Sequence, residues 1–290
     1  MLGVFQTNPL LYLLATGLLG LIVGSFLNVV IHRLPVMMRR TWTLECQAWL
    51  DSKQGAVDDN GEETYNLLTP GSHCPNCGHR IGALENIPII SYVALGGRCA
   101  KCHAPISRRY PLVEALTALL SVAVAWRFGI AWETAAALLF TWALIALSSI
   151  DMDTTLLPDS ITLPGLWLGV LLNMGGLFTD LQASVLGAIF GYLSLWCVYH
   201  AFKLITGKEG MGYGDFKLLA MLGAWAGWQA LPLIILFSSA IGAIVGVGLI
   251  LVLGRDRNVP IPFGPYLAMA GWIGLLWGTP ITDWYLRHAS

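Results

Sequence analysis

Charge is what this chain has least of. Only 11% of its 290 residues are Asp, Glu, Lys or Arg, whereas a soluble domain carries about 25%. That shortage excludes an ordinary soluble globular protein. A basic surplus is missing too. The formal net charge of -1 argues against nucleic acid as the main partner, because a phosphate-binding surface leaves an excess of Lys and Arg. No H-E-x-x-H pair occurs, which removes the usual helical zinc-hydrolase site. No G-x-G-x-x-G fingerprint occurs either, so no Rossmann-type cofactor site is indicated. Internal repeats and low-complexity tracts are absent.

Apolar residues make up 56% of the chain, and the mean hydropathy is +0.67. The length accommodates seven or eight membrane spans at about 20 residues each, plus one modest polar domain. The first long apolar run is Leu10 to Ile31. No Lys or Arg precedes it, and His32-Arg33 follow it. A cleavable signal peptide has the reverse polarity, so the run reads as a retained span. Further spans are expected at 111–127, 132–150, 160–178, 183–205, 216–229, 231–253 and 264–279, with Pro232 as the break inside the long apolar stretch after Phe216. This makes the chain an all-α polytopic membrane protein of about eight transmembrane helices. Of the 16 Lys and Arg, all but Arg127 and Arg287 then fall on the cytoplasmic side, as the positive-inside rule requires. The expected organisation is a first transmembrane helix over 1–31, a small cytoplasmic domain over 32–110 and a transmembrane core over 111–290. Within the polar domain, 51–63 reads as a flexible polar loop.

That domain carries the strongest local motif. Cys74-Pro-Asn-Cys77 is followed by Cys99-Ala-Lys-Cys102. A C-x-x-C turn presents two thiolates to one ion, and two such turns complete a tetrahedral shell suited to structural zinc. In the reducing cytoplasm a metal is favoured over the alternative of two disulfides. A shell of four thiolates leaves no open position for water, so the zinc folds the domain and hydrolyses nothing. His73, His79 and His103 flank the cysteines and read as ordinary polar turn residues, with a place in the metal shell as the alternative. Cys46 and Cys197 have no partner pattern.

Acidic residues at the spans are few, and each is a functional candidate by its cost in lipid. Asp151, Asp153 and Asp159 follow the third span, Asp215 opens the sixth behind Gly212 and Gly214, and Glu114 lies in the second. Two packed spans can bring carboxylates at their cytoplasmic ends together. Such a pair holds one proton and one charge, the combination that activates water and polarises a carbonyl. Chemistry alone does not choose Asp151 over Asp153. The blander roles are an N-cap for Asp159, a solvated charge for Asp153 and an interhelical polar contact for Glu114. Lys217 has a carboxylate or a lipid phosphate as its natural partner. Gly212 and Gly214 suit a sharp turn or a close backbone approach.

Met211-Gly-Tyr-Gly-Asp215-Phe-Lys217 resembles the G-x-G-D motif of intramembrane aspartyl proteases that include the type IV prepilin peptidases. Gly24-Ser-Phe-Leu-Asn28 through Pro35, both C-x-x-C segments, Arg108-Arg-Tyr-Pro-Leu-Val-Glu114, Ile150-Asp151, Leu157-Pro158-Asp159 and Pro262-Phe-Gly-Pro-Tyr266 are similar to the same family in order. Arg98 departs from the lysine common there but keeps the charge. The likeness is greatest to the bifunctional prepilin peptidases and N-methyltransferases of Gram-negative pilus and type II secretion systems. The resemblance implies Asp151 and Asp215 as catalytic carboxylates. It implies type IV prepilins and pseudopilins as substrates, cut after a glycine in a short basic leader. S-adenosylmethionine would be the methyl donor for the new N-terminus, and a multi-pass position in the inner membrane is implied. Two other classes compete: a metalloprotease using the zinc, and an ion-relaying transporter or scaffold. The closed thiolate shell speaks against the first. The position of the carboxylates at span ends speaks against the second.

Overall fold

The computed structural model describes residues 7–51, 65–208, 210–254 and 261–289. The polar loop expected over 51–63 therefore lies almost wholly outside the described residues. The chain forms two compact units, Met1–Ala125 and Trp126–Ser290.

Among the described residues every long element is helical and no strand occurs. The long helices are α1 (Pro9–Asp51), α3 (Arg109–Phe128), α4 (Trp132–Thr154), α5 (Asp159–Asn173), α6 (Leu181–Thr206), α7 (Tyr213–Ala226), α8 (Leu231–Leu253) and α9 (Gly264–Ala289); a short α2 spans Ile90–Ala94. Each of the eight expected spans corresponds to one long helix. Among the described residues five helices are long and apolar enough to cross a membrane: α1, α3, α4, α6 and α8. The chain is a membrane protein on this ground. Helices α5 and α7, with 15 and 14 residues, are shorter than a full crossing of about 20.

In the first unit, α1 does not stop at residue 31 but continues without a break to Asp51. At 1.5 Å per residue its 43 residues extend about 65 Å, roughly twice the hydrocarbon thickness. Its apolar half packs on α3 through Gly17, Gly20 and Gly24. A Cβ at Gly20 would lie 2.7 Å from the Ala118 backbone, and one at Gly24 would lie 2.8 Å from that of Glu114. Small residues at this spacing let two membrane helices approach closely, which replaces the hydrophobic driving force that lipid does not supply.

In the second unit α7 is the centre. Phe216, Leu218, Leu219, Met221, Leu222, Ala224 and Trp225 are all buried, enclosed by α5, α6 and α9. Helix α6 meets α7 backbone to backbone at Gly187 and Gly223, and Gly191 lies against Leu219 and Ala220. Trp225 fills the notch over Gly169 and donates its indole N–H to the Gly165 carbonyl at 2.8 Å. Asn173 donates to the Ala224 and Trp225 carbonyls and accepts from the Phe178 and Thr179 amides. These polar ties satisfy backbone groups that lipid would leave unpaired.

The break between α7 and α8 is not made by Pro232. It falls at Gly227, whose φ of +81° only glycine adopts cheaply. Pro232 sits in the first turn of α8, where its missing N–H costs nothing. Helix α8 is the most apolar element, and its Leu236, Ile244, Val247 and Leu251 are exposed, a surface suited to lipid.

Candidate active site

Three helix ends of the second unit meet around Asp151. The residue lies in the last turn of α4 and is buried. The helix closes there with Thr155 in the left-handed conformation, its N–H donating to the Asp151 carbonyl at 2.9 Å. The carboxylate is held separately: the N–H of Gly264, first residue of α9, donates to Asp151 Oδ2 at 2.9 Å. A helix N-terminus presents unpaired N–H groups and suits an anion. Gly264 has no room for a side chain, since a Cβ would lie 2.6 Å from Asp151 Oδ2.

Asp215 stands in the first turn of α7 and is also buried. Leu157, in the connection between α4 and α5, joins the two helix starts. A Cβ on Gly214 would lie 2.8 Å from Leu157 Cβ, and one on Gly264 would lie 3.2 Å from Leu157 Cδ2. Gly214 is thus small because a side chain packs on it, and Gly212 caps α7 with extended backbone at φ -81°, its carbonyl accepting the Asp215 N–H at 3.3 Å. The rings of Tyr199, Tyr213 and Phe216 cluster in tilted and edge-on contacts, with centroids 5.4 to 5.7 Å apart.

The structure separates Asp151 from Asp153: the former is buried and the latter exposed, because two residues along a helix turn a side chain to about the opposite face. Asp159 is not an N-cap. Pro158 occupies that position, and the Asp159 carboxylate binds Lys217 Nζ through both oxygens, at 2.8 and 2.6 Å. Sequence reasoning assigned no role to Gly264 and Leu157. Pro265, directly after Gly264, was the signal, since a proline in the first turn marks a helix start.

In the first unit Glu114 is the interhelical polar contact expected of it. Its buried carboxylate accepts the Ile89 N–H at 2.8 Å and a hydrogen bond from Ser25 of α1. Ile89 has φ +60°, a strained conformation for a β-branched residue.

The four cysteines come together as the motif requires. The sulfurs of Cys74, Cys77, Cys99 and Cys102 all lie within 4.8 Å of one another, and none is disulfide-bonded. Each pair sits in one of two similar knuckles. One is closed by the bridge His73 to Arg80, the other by Arg98 to Pro105. Each turns at a positive φ just after its second cysteine, at Gly78 and His103. The Cys74–Cys102 and Cys77–Cys99 sulfur separations are 3.8 and 4.0 Å. A tetrahedron with metal–sulfur arms of about 2.3 Å has edges of about 3.8 Å, so the donor set fits one tetrahedral ion. The backbone amides of Asn76 and Cys77 hold the Cys74 thiol below its ordinary value. Those of Ala104, with the Asn76 side chain, hold Cys102 at about 6. The His79 amide also favours the Cys77 thiolate, but burial and the neighbouring sulfurs outweigh it and push that thiol up to about 11. Four thiolates repel one another until a cation joins them.

The flanking histidines are outside this shell. His79 pairs with Glu85 at 3.1 Å. Glu85 is itself held below the usual carboxylate range by the Gly82 N–H and by His79. His73 Nδ1 bonds the Gly71 carbonyl. Cys46 and Cys197 are exposed free thiols.

An apolar helical chain with a four-cysteine metal module and two buried carboxylates at converging helix ends defines the class: a polytopic membrane protein with hydrolytic potential. Comparison with known proteins narrows it. The Bacterial Peptidase A24 N-terminal domain matches residues 18–128, and the Type IV leader peptidase family matches residues 138–247. A prepilin leader peptidase/N-methyltransferase from Pseudomonas aeruginosa is 58% identical over 290 residues, covering 100% of this chain and 99% of its own length. One of the same description from Aeromonas hydrophila is 59% identical over 280 residues, covering 97% and 96%. Another from Dichelobacter nodosus is 52% identical over 265 residues, covering 91% of each. No solved structure matches the chain. The chain belongs to the type IV leader peptidase family.

Proposed function

We propose that this chain is a membrane-embedded aspartyl endopeptidase that removes the short basic leader of type IV prepilins and pseudopilins and then N-methylates the new N-terminal residue. The observation that supports this is that Asp151 and Asp215 are both buried at helix ends that Leu157 links through its contacts at Gly214 and Gly264, with the Gly264 N–H on the Asp151 carboxylate. The description shared by relatives that are 58% and 59% identical supports both activities.

In this mechanism the two carboxyl groups share one proton. The ionised one takes a proton from water as the oxygen attacks the scissile carbonyl carbon. The protonated one donates a hydrogen bond to the carbonyl oxygen and stabilises the oxyanion. Collapse of the tetrahedral intermediate breaks the C–N bond, and the leaving amine takes up a proton from the pair. The Gly264 N–H fixes Oδ2 of Asp151, which leaves Oδ1 to face the reaction. S-adenosylmethionine, when bound, supplies the methyl group to the freed amine.

The expected topology follows from the same reading. The starts of α5, α7 and α9 and the end of α4 would face the cytoplasm of a Gram-negative inner membrane, with residues 32–110 as the cytoplasmic domain and 111–290 as the catalytic core. The four cysteines would hold structural Zn2+, since four thiolates at this spacing leave no position for water.

The test is mass spectrometry of a full-length prepilin incubated with the purified protein in detergent and phospholipid. Loss of the leader without the donor, and a further gain of one methyl group with it, is the expected result. An intact prepilin under conditions where a characterised relative cleaves it sinks the proposal. A second measurement addresses the metal. Elemental analysis is expected to find one zinc per chain, lost in Cys74→Ser and released on acidification as the thiolates protonate. Retention of a full zinc complement in Cys74→Ser removes the assignment.

A further inference from the structure

We propose that the Lys217–Asp159 ion pair is a positioning strap that sets the separation of the two carboxylates. This rests on the reading of Asp151 and Asp215 as the catalytic pair. The pair's place in the chain carries the inference. Lys217 follows Asp215 by two residues in α7, and Asp159 opens α5 just beyond the short connection that leaves Asp151. The ammonium reaches both carboxylate oxygens, at 2.8 and 2.6 Å.

The same connection is held at a second point, because Leu157 packs on Gly214. Asp215 is therefore flanked on both sides by residues fastened to the segment that follows Asp151. Leu157 alone would be a weak ruler, since apolar contact is not directional. The backbone before Asp215 offers little stiffness of its own. It passes through Gly207, Gly210, Gly212 and Gly214, and glycine leaves the chain its greatest freedom. The directional contact must come from the far side of Asp215, where Lys217 stands.

The side chains of Lys217 and Asp159 are 30% and 53% exposed, so the pair adds little to folding stability. Its expected effect is on the chemical step. Two groups that must act on one water and one carbonyl lose rate steeply when one is displaced, whereas a prepilin helix binds over a far larger surface.

The test uses the full-length protein and a full-length prepilin. Lys217→Met and Asp159→Asn should each lower kcat for cleavage by about 10- to 100-fold, as a displacement of about 1 Å does. KM should stay within about twofold, and the double variant should be no worse than either single one, as for residues acting as one unit. Exchange of the charges, Lys217→Asp with Asp159→Lys, should recover most of the loss. Methylation of a pilin already lacking its leader should be unchanged in all of them, which reports an intact fold. Full kcat in the single variants overturns the strap. Loss of cleavage and methylation together, with no recovery on charge exchange, also overturns it and makes the pair an ordinary folding contact. Asp151→Asn in the same assay separates the two ideas. If that variant cleaves, the carboxylate pair itself is misassigned. If it is inactive while Lys217→Met cleaves normally, only the strap fails.

Discussion

Asp151→Asn and Asp215→Asn are each expected to lower the rate of leader cleavage by at least about 1000-fold, within the range general acid–base groups contribute. Asn has nearly the shape of Asp, so the surroundings need not move. Its side-chain oxygen can still accept the Gly264 N–H that now holds Asp151. What Asn lacks is the ability to take or give a proton. Both carboxylates are buried, and a buried charge is costly. A neutral Asn of the same shape removes that cost, so the melting temperature should not fall. Methylation of a pilin already lacking its leader should persist, because that transfer needs no activated water. Reading the product N-terminus by mass spectrometry decides the matter. Cleavage by either variant near the parent rate would remove the pair from the mechanism, and cleavage by both would return attention to the four-cysteine module.

Gly264→Ala is expected to lower kcat by about 100-fold, although it adds a single methyl group at a residue with no reactive atom. That methyl would lie 2.6 Å from Asp151 Oδ2, 3.2 Å from Asp151 Cγ and 3.2 Å from Leu157 Cδ2. All three atoms belong to groups that define the site, so the carboxylate must swing away and weaken the bond from the Gly264 N–H. A misplacement of about 1 Å costs about 10² in rate when the acting groups must be aligned. Gly248→Ala is the control, because nothing stands within 4 Å of its added methyl, and it should leave kcat unchanged. Both are measured as initial rates with one prepilin. Equal rates for the two variants would show that the α9 start does not govern Asp151.

Residues distant in sequence account for what local reading left open. The long helices are legible because a sustained apolar run in lipid must pair its own backbone as a helix, and each expected span from Leu10 to Trp277 lies on a helix. Two features there differ from the sequence-based expectation: the first helix runs on from residue 31 to Asp51, and the break after α7 falls at Gly227. Proline is the more conspicuous breaker in a sequence, but Pro232 is harmless in a first turn, and it is Gly227 that takes the left-handed φ. Asp159 was misread for a related reason. A residue after proline at a helix start looks like a cap, and only the arrival of Lys217, 58 residues away, shows where its carboxylate goes.

By itself the sequence determined the membrane setting, the helices and the four-cysteine module, since hydropathy runs and C-x-x-C turns are properties of neighbouring residues. Through its likeness to a family it also singled out Asp151 and Asp215. The tertiary structure decided the rest. It buried Asp151 and exposed Asp153, two residues apart on opposite faces of one helix. It set the Gly264 N–H, 113 residues away, on the Asp151 carboxylate, and it wedged Leu157 between two glycines. Contacts of this kind depend on how helices pack and which way side chains point, and no spacing along a single helix contains that information.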